Sequence, residues 1–370
     1  MQVPFVSLRP VHDKLQKEIQ LKLSALIEKS DFILGAEVDL FEKEYAQVSE
    51  TKYCIGISNG LDALKISLKA AGIGKGDEVI VPANTYIASI FAILDAGATP
   101  VLAEPDKTTY NITAENIKSA ITPRTKAVMP VHLYGQPCDM DAIMEMAEQN
   151  KILVIEDNAQ AQGAEYKGRR TGSFGHMNAT SFYPSKNLGA MGDAGAITTN
   201  SETLDRSARL LRNVGCGSKY HHEVVGYNAR MDTMQAGVLN SKLPYLNEWN
   251  KERKEIASRY IHNLKECSSI ILPEAIDGAE HVYHLFVIRL RERDALQQYL
   301  TQNEIQTLIH YPVPCHLQPA LGHLGFKKGQ FPVTEELSQT CLSLPVFIGM
   351  TESQIDFVSE NIIAFDKQYS

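Results

Sequence analysis

The chain has 370 residues, 44% hydrophobic and 22% charged, with 36 Lys and Arg against 44 Asp and Glu and a formal charge of −8. That composition excludes disordered, collagen-like and low-complexity scaffolds. The absence of any basic run or arm speaks against nucleic acid as a partner.

Strand and helix signals alternate through the first half. YCIGIS (53–58) reads as a strand, 61–72 as a helix, DEVIVP (77–82) as a strand and 87–97 as a helix ending at a glycine. TPVLAEP, TKAVMPVHLYG and KILVIEDNA read as further strands, with helices over TAENIKSAI and DMDAIMEMAEQN between them. These strands are nearly continuous apolar runs, as expected where both faces are covered. Repeated strand–helix–strand order predicts an α/β fold with a mostly parallel sheet between helices. The stretch 230–265 reads as one long helix or two, broken at Pro244. HVYHLFVIRL then reads as a strand, RDALQQYLTQN as a helix and IQTLIHYP as a strand. Thr351 and Gln354 fit a capping box before a last helix. We place a boundary near 245, giving a large domain (1–245) and a smaller C-terminal α/β domain (246–370). The second unit is too short to enclose a large ligand alone, so a site between the two is expected.

The six cysteines are scattered with no CxxC pair, which argues against a disulfide framework and structural zinc. The first residues lack a signal-peptide pattern. No apolar run approaches the ~18 residues of a spanning helix. The expectation is a reduced, cytoplasmic protein with no membrane partner.

Four features carry chemistry. The strand KILVIED ends in Glu156 and Asp157. Ligands of open α/β sheets sit beyond the carboxyl ends of the strands, so an acid there either faces a crevice or fixes a loop. Twenty-nine positions after Asp157, Lys186 follows the apolar-aromatic strand ATSFY in SFYPSKNLG, next to glycines that permit close backbone approach. An enclosed lysine loses its proton more easily and serves as an imine-forming nucleophile. Pyridoxal phosphate chemistry needs that lysine and a carboxylate against the pyridine nitrogen. In Ser58-Asn-Gly60-Leu61 a strand turns at glycine into a helix whose first N–H groups suit a phosphate, although an ordinary helix start looks the same. Tyr86, just past another strand end, could stack on a heterocycle or simply pack. Gly72-Ile-Gly74-Lys-Gly76 reads as a turn, and no GxGxxG follows a strand. His281 and His284 would face opposite sides of a strand, and His310 and His316 lack a third ligand, so no metal is expected.

Six ordered motifs then carry a resemblance: SNGLDAL, VPANTYIAS, VIEDNAQAQG, SFYPSKNLG, GDAGAI and GYNARMDTMQA. The chain resembles the DegT/DnrJ/EryC1/StrS nucleotide-sugar aminotransferases, pyridoxal-phosphate enzymes of the aspartate-aminotransferase fold (fold type I), from about Pro4 to beyond residue 350. The resemblance implies that Lys186 forms the Schiff base, Asp157 pairs with the pyridinium nitrogen and Gln160 lies near the ring hydroxyl. It also implies that the amides of Gly60 and Leu61 hold the phosphate with the Ser181 hydroxyl, and that Tyr86 stacks on the ring. Asn228 matches a residue that reaches the phosphate of the other subunit, implying a homodimer with shared sites. Ala194 and Asn59-Gly60-Leu61 depart from the family's common residues, the second removing one possible phosphate hydroxyl. The segment Gln306 to Gln318 is similar to members acting on 3-keto sugars, with Tyr183, His310 and Tyr311 as candidates for the sugar pocket or as packing around a proline-fixed loop. The resemblance implies transfer from L-glutamate to C3 of a dTDP-linked 3-keto-6-deoxyhexose. Alternatives are a 4-keto sugar, a UDP-acetamido sugar, or a pyridoxal-phosphate-binding regulator without turnover. Lys186 speaks against a sugar dehydratase, which typically replaces that lysine.

Overall fold

The computed structural model describes residues 1–369. Seven strands form the main sheet: β1 (Tyr53–Ile57), β2 (Glu78–Pro82), β3 (Thr99–Ala103), β4 (Thr125–Val128), β5 (Leu153–Asp157), β6 (Met177–Ser181) and β7 (Gly195–Thr199). Their order across the sheet is β1-β7-β6-β5-β4-β2-β3. β7 runs antiparallel to both its neighbours, and the other adjacent pairs are parallel. The parallel run explains the uninterrupted apolar strands: β2 is buried at all five positions because helices cover both faces.

The helices are α1 (Arg9–Lys29), α2 (Ala36–Val48), α3 (Gly60–Ala70), α4 (Ile87–Ala96), α5 (Ala114–Ala120), α6 (Met140–Asn150) and α7 (Glu202–Arg212), followed by α8 (Thr233–Lys242), α9 (Leu246–Leu264), α10 (Arg293–Gln302), α11 (Pro332–Thr340) and α12 (Glu352–Tyr369). Pro244 sits in a single 3₁₀ turn between α8 and α9, the break its missing N–H requires. An antiparallel pair, β8 (Phe286–Arg289) with β9 (Cys341–Leu344), packs against α9, α10 and α12 in a second core that includes Tyr260, Phe286, Leu300 and Phe365. α9 spans both cores. Leu246 and Trp249 pack with the first, and Ile256 to Leu264 with the second. The capping box at α12 is present: Gln354 N–H donates to Thr351 Oγ1 at 3.2 Å and Thr351 N–H to Gln354 Oε1 at 2.9 Å.

Three strand readings need correction. TKAVMPVHLYG is a strand only over Thr125–Val128; beyond it a single bridge from Val131 to Asp157 remains before the chain turns at Tyr134 and Gly135, both at positive φ. HVYHLFVIRL is a strand only over Phe286–Arg289. Its first half is tied instead to Tyr134 and Gly135 through the Val282 and Leu285 N–H groups. IQTLIHYP forms no strand because its backbone changes partner midway, from Val3 at Ile305 to Ser343 at Leu308.

Candidate active site

The strand ends bring the predicted residues to one edge of the sheet. Successive side chains of β5 point to opposite faces, so its two acids part company. Glu156 is fully buried and accepts N–H bonds from Gly172, Phe174 and Gly175 at 2.7–2.8 Å, with His132 Nε2 at 2.7 Å. Cys138 N–H donates to His132 Nδ1, so Nε2 carries the proton toward Glu156. Every acceptor direction of Glu156 is engaged, and its work is to fix the loop before β6.

Asp157 faces the other way. Its Oδ2 accepts from Ser89 Oγ at 2.8 Å and Oδ1 from Ala159 N–H at 3.1 Å, while Thr85 Oγ1 lies 2.8 Å from Ser89 Oγ. Burial raises the Asp157 pKa, against the opposing pull of the Ser89 bond and the Lys186 charge. No cation among the described residues bonds to it. A protonated ring nitrogen would supply what this carboxylate lacks.

Lys186 follows β6 in a turn closed by its own N–H to Tyr183 O at 2.8 Å. Its neighbour Asn187 is buried and anchored to Asn250 Oδ1 at 2.8 Å and Val282 O at 3.1 Å. The backbone around the lysine is therefore held while Nζ makes no hydrogen bond among the described residues. Burial lowers the Lys186 pKa to about 8, with Asp157 acting in the opposite sense. Near neutral pH a useful fraction of this amine is unprotonated.

Gly60 and Leu61 open α3, where no helix carbonyl can reach their N–H groups. Asn59 caps the helix, its Oδ1 accepting from Asp62 N–H at 2.8 Å. A Cβ on Gly60 would stand 2.7 Å from Ser181 Cβ, so only glycine lets the helix start and the end of β6 close around a small anion. A buried carboxylate without a cation, a free amine and an amide-lined glycine cradle thus meet at one edge, and this donor set fits pyridoxal phosphate.

The C-terminal region reaches the same place. Gln160 Nε2 donates to Tyr311 Oη at 3.1 Å, and Tyr134 N–H donates to Gln160 Oε1 at 2.6 Å. Tyr134 Oη also donates to the His310 carbonyl. His310 Nδ1 shares a 2.8 Å hydrogen bond with Ser343 Oγ, and burial, then Lys186, lower its pKa to about 4. The Tyr86 and Tyr311 rings lie 5.4 Å apart, tilted by 37°. Tyr86 and Tyr183 are both more than half exposed. Asn228 is exposed as well and bridged through its backbone to Asn213; its neighbour Ala229 accepts the Ser58 N–H at 3.0 Å, while the Asn228 side chain bonds to none of these site residues. Of the histidines considered as ligands, His284 pairs with Asn187, His316 with Glu335, and His281 stacks on Tyr283.

Sequence reasoning missed Ser89, which sits one helical turn after Tyr86 in the motif already singled out, and Tyr134 and Ser343, which carry no motif of their own.

Residues 13–363 match the DegT/DnrJ/EryC1/StrS aminotransferase family. The chain belongs to that family. A dTDP-3-amino-3,6-dideoxy-alpha-D-galactopyranose transaminase of Aneurinibacillus thermoaerophilus is 49% identical over 97% of this chain and 98% of its own. A UDP-N-acetyl-3-dehydro-alpha-D-glucosamine 3-aminotransferase of Acidithiobacillus ferrooxidans is 44% identical over 95% of each. Among solved structures, Streptomyces venezuelae DesV in complex with a ketimine intermediate superimposes with a TM-score of 0.97 at 41% identity, covering 99% of both chains. This DegT/DnrJ/EryC1/StrS protein is an aminotransferase of the pyridoxal-phosphate-dependent class with that class's α/β fold. No helix among the described residues is long and apolar enough to cross a membrane.

Proposed function

We propose that the chain transfers the amino group of L-glutamate to C3 of a dTDP-linked 3-keto-6-deoxyhexose, giving a dTDP-3-amino-3,6-dideoxyhexose for glycan assembly. The observation that carries this reading is the 49% identity, over nearly the full length of both chains, to a transaminase named for such a product.

Pyridoxal phosphate, when bound, supplies an electron sink for negative charge at the carbon next to the transferred nitrogen. The protein's own groups do the rest. Lys186 is the attachment point, and its Nζ, once free, is the base that takes the proton from Cα of the amino donor. As the conjugate acid it is the proton source for C3 of the sugar. Asp157, fixed by Ser89 and Ala159, holds a proton on the nitrogen opposite it. Gly60 and Leu61 N–H with the Ser181 hydroxyl receive the phosphate. Gln160 serves the ring hydroxyl and Tyr86 covers one face. Tyr183, His310 and Tyr311 line the sugar side. His310 stays neutral at working pH, so it offers a hydrogen bond and not a charge.

The same reading takes the enzyme as a homodimer with shared sites, Asn228 completing the phosphate site of the other copy. Exposed Tyr220, Val224 and Val225 beside it are apolar surface that such a contact would cover. It also takes 1–245 and 246–370 as the large and small domains, supported by the core around Tyr260, Phe286 and Phe365, which draws almost wholly on 246–370, and by the break at Pro244.

A second reading, transfer to C3 of a UDP-linked acetamido sugar, is favoured by the 44% identity to a UDP-sugar 3-aminotransferase. Incubation with a panel of dTDP and UDP keto-sugars and glutamate, followed by mass spectrometry and NMR, decides between them. Nitrogen at C4 of any product overturns both.

A further inference from the structure

A small cleft of about 30 Å³ lies between the N-terminal segment and the loop that carries Lys186, walled by Ser7, His12, Lys186, Lys242, Trp249 and Arg253 among others, with no acidic residue in its lining. Two of its cations are almost wholly buried, Lys242 at 2% and Arg253 at 5% exposure. Neither has a carboxylate bonded to it among the described residues. Lys242 Nζ donates to Gly189 O at 2.6 Å and to His12 Nε2 at 3.3 Å, which leaves one N–H free. Arg253 spends Nη1 on the carbonyls of Tyr283, His284 and Val346, while its buried Nε has no partner. The nearby acids are engaged elsewhere: Asp13 with Arg9 at 2.9 Å, Glu252 with Gly349 N–H at 2.5 Å.

Burying one cation without a counter-charge costs several kcal/mol, and burial accordingly pulls the pKa of Lys242 down to about 8 and that of Arg253 to about 10; an anion entering the cleft would relieve both. At about 30 Å³ the cleft has room for a water or two or for one carboxylate group, and for nothing larger. It shares a wall with the lysine that would take the proton from the amino donor.

We propose that this cleft is a carboxylate subsite for the dicarboxylate amino donor, with Lys242 and the unpartnered edge of Arg253 as its donors and His12 holding Lys242 in place. This rests on the aminotransferase reading and extends it to residues that reading leaves unassigned. It makes Lys242 a determinant of donor choice: a monocarboxylic amino acid would leave the cations uncompensated.

Trp249, the chain's single tryptophan, lies in the cleft wall and reports on it. The probe is glutarate, which has both carboxylates and neither amine nor ketone, titrated into the holoenzyme while tryptophan emission is read. Saturable change with glutarate and none with glutaramide is the expected result. Lys242→Met should weaken glutarate binding by about tenfold or more, the usual loss for a hydrogen bond to a charged group. His12→Leu, on a partly exposed helix position, should weaken it as well and serves if Lys242→Met does not fold. Unchanged emission with glutarate, equal binding by both variants, or the same response to dTDP would overturn the subsite. If glutamate itself fails to shift the cofactor absorbance of the wild-type protein, the aminotransferase reading is what has failed, whatever glutarate does.

Discussion

Gln160 and Tyr311 are joined by a 3.1 Å hydrogen bond although 151 residues separate them. Gln160 belongs to the loop after β5, and Tyr311 to the proline-fixed arm between α10 and α11. The bond ties the residue expected at the cofactor's ring hydroxyl to the residue expected at the sugar, so the two halves of the site are positioned together. Tyr311→Phe keeps the ring against Tyr86 and removes only this link. The sugar half-reaction should slow by roughly tenfold, the weight of one hydrogen bond of ~1 kcal/mol or slightly more, and stopped-flow spectra should show the glutamate half-reaction nearly unchanged. Equal slowing of both halves would count against the coupling.

Lys186 should carry the cofactor covalently. Borohydride reduction followed by peptide mapping should label the peptide containing it and no other. The rate at which apoprotein takes up pyridoxal phosphate should rise with pH through about 8, because below that value the amine is protonated and not nucleophilic. A flat profile between pH 6.5 and 9, a range of roughly one to two units either side of that value, would contradict the lowered pKa.

Asp157→Asn should still bind pyridoxal phosphate but lose on the order of 10²-fold or more in turnover, a typical size for lost electrostatic preorganisation. Glu156→Gln is the informative contrast. Its carboxylate touches only backbone N–H groups and His132. The expected damage is to stability, about 3–5 kcal/mol for disrupting a buried charged network, with turnover of the folded fraction largely kept. Thermal melts alongside active-site titration separate the two.

Mixing Lys186→Ala with Asn228→Ala protein under subunit exchange should restore activity, since one site in each mixed dimer would have both residues intact. An active monomer by light scattering would refute shared sites.

The large α/β half was legible because its strands are apolar on both faces, its helices are bounded by glycines and caps, and the motifs sit at strand ends. The C-terminal part was less so. IQTLIHYP has a strand's composition, but its ladder partners come from residue 3 and from β9, and no local pattern announces a change of partner. Ser89 escaped notice for a similar reason. A serine one turn into a helix is unremarkable until the fold brings β5 beside it. Glu156 and Asp157 could not be told apart from composition, since only the facing of β5 decides which of them lies toward Lys186.

That facing has an evolutionary edge to it. With adjacent carboxylates committed to opposite duties, β5 behaves like a reading frame: a slip of one residue would aim Glu156 at the cofactor nitrogen and withdraw the anchor from the Gly172–Gly175 loop. Point substitutions along Leu153–Asp157 degrade packing by degrees. An insertion or deletion there would turn both acids away from their duties at once, so length changes in this lineage should be confined to the loops on either side of the strand and excluded from the strand itself.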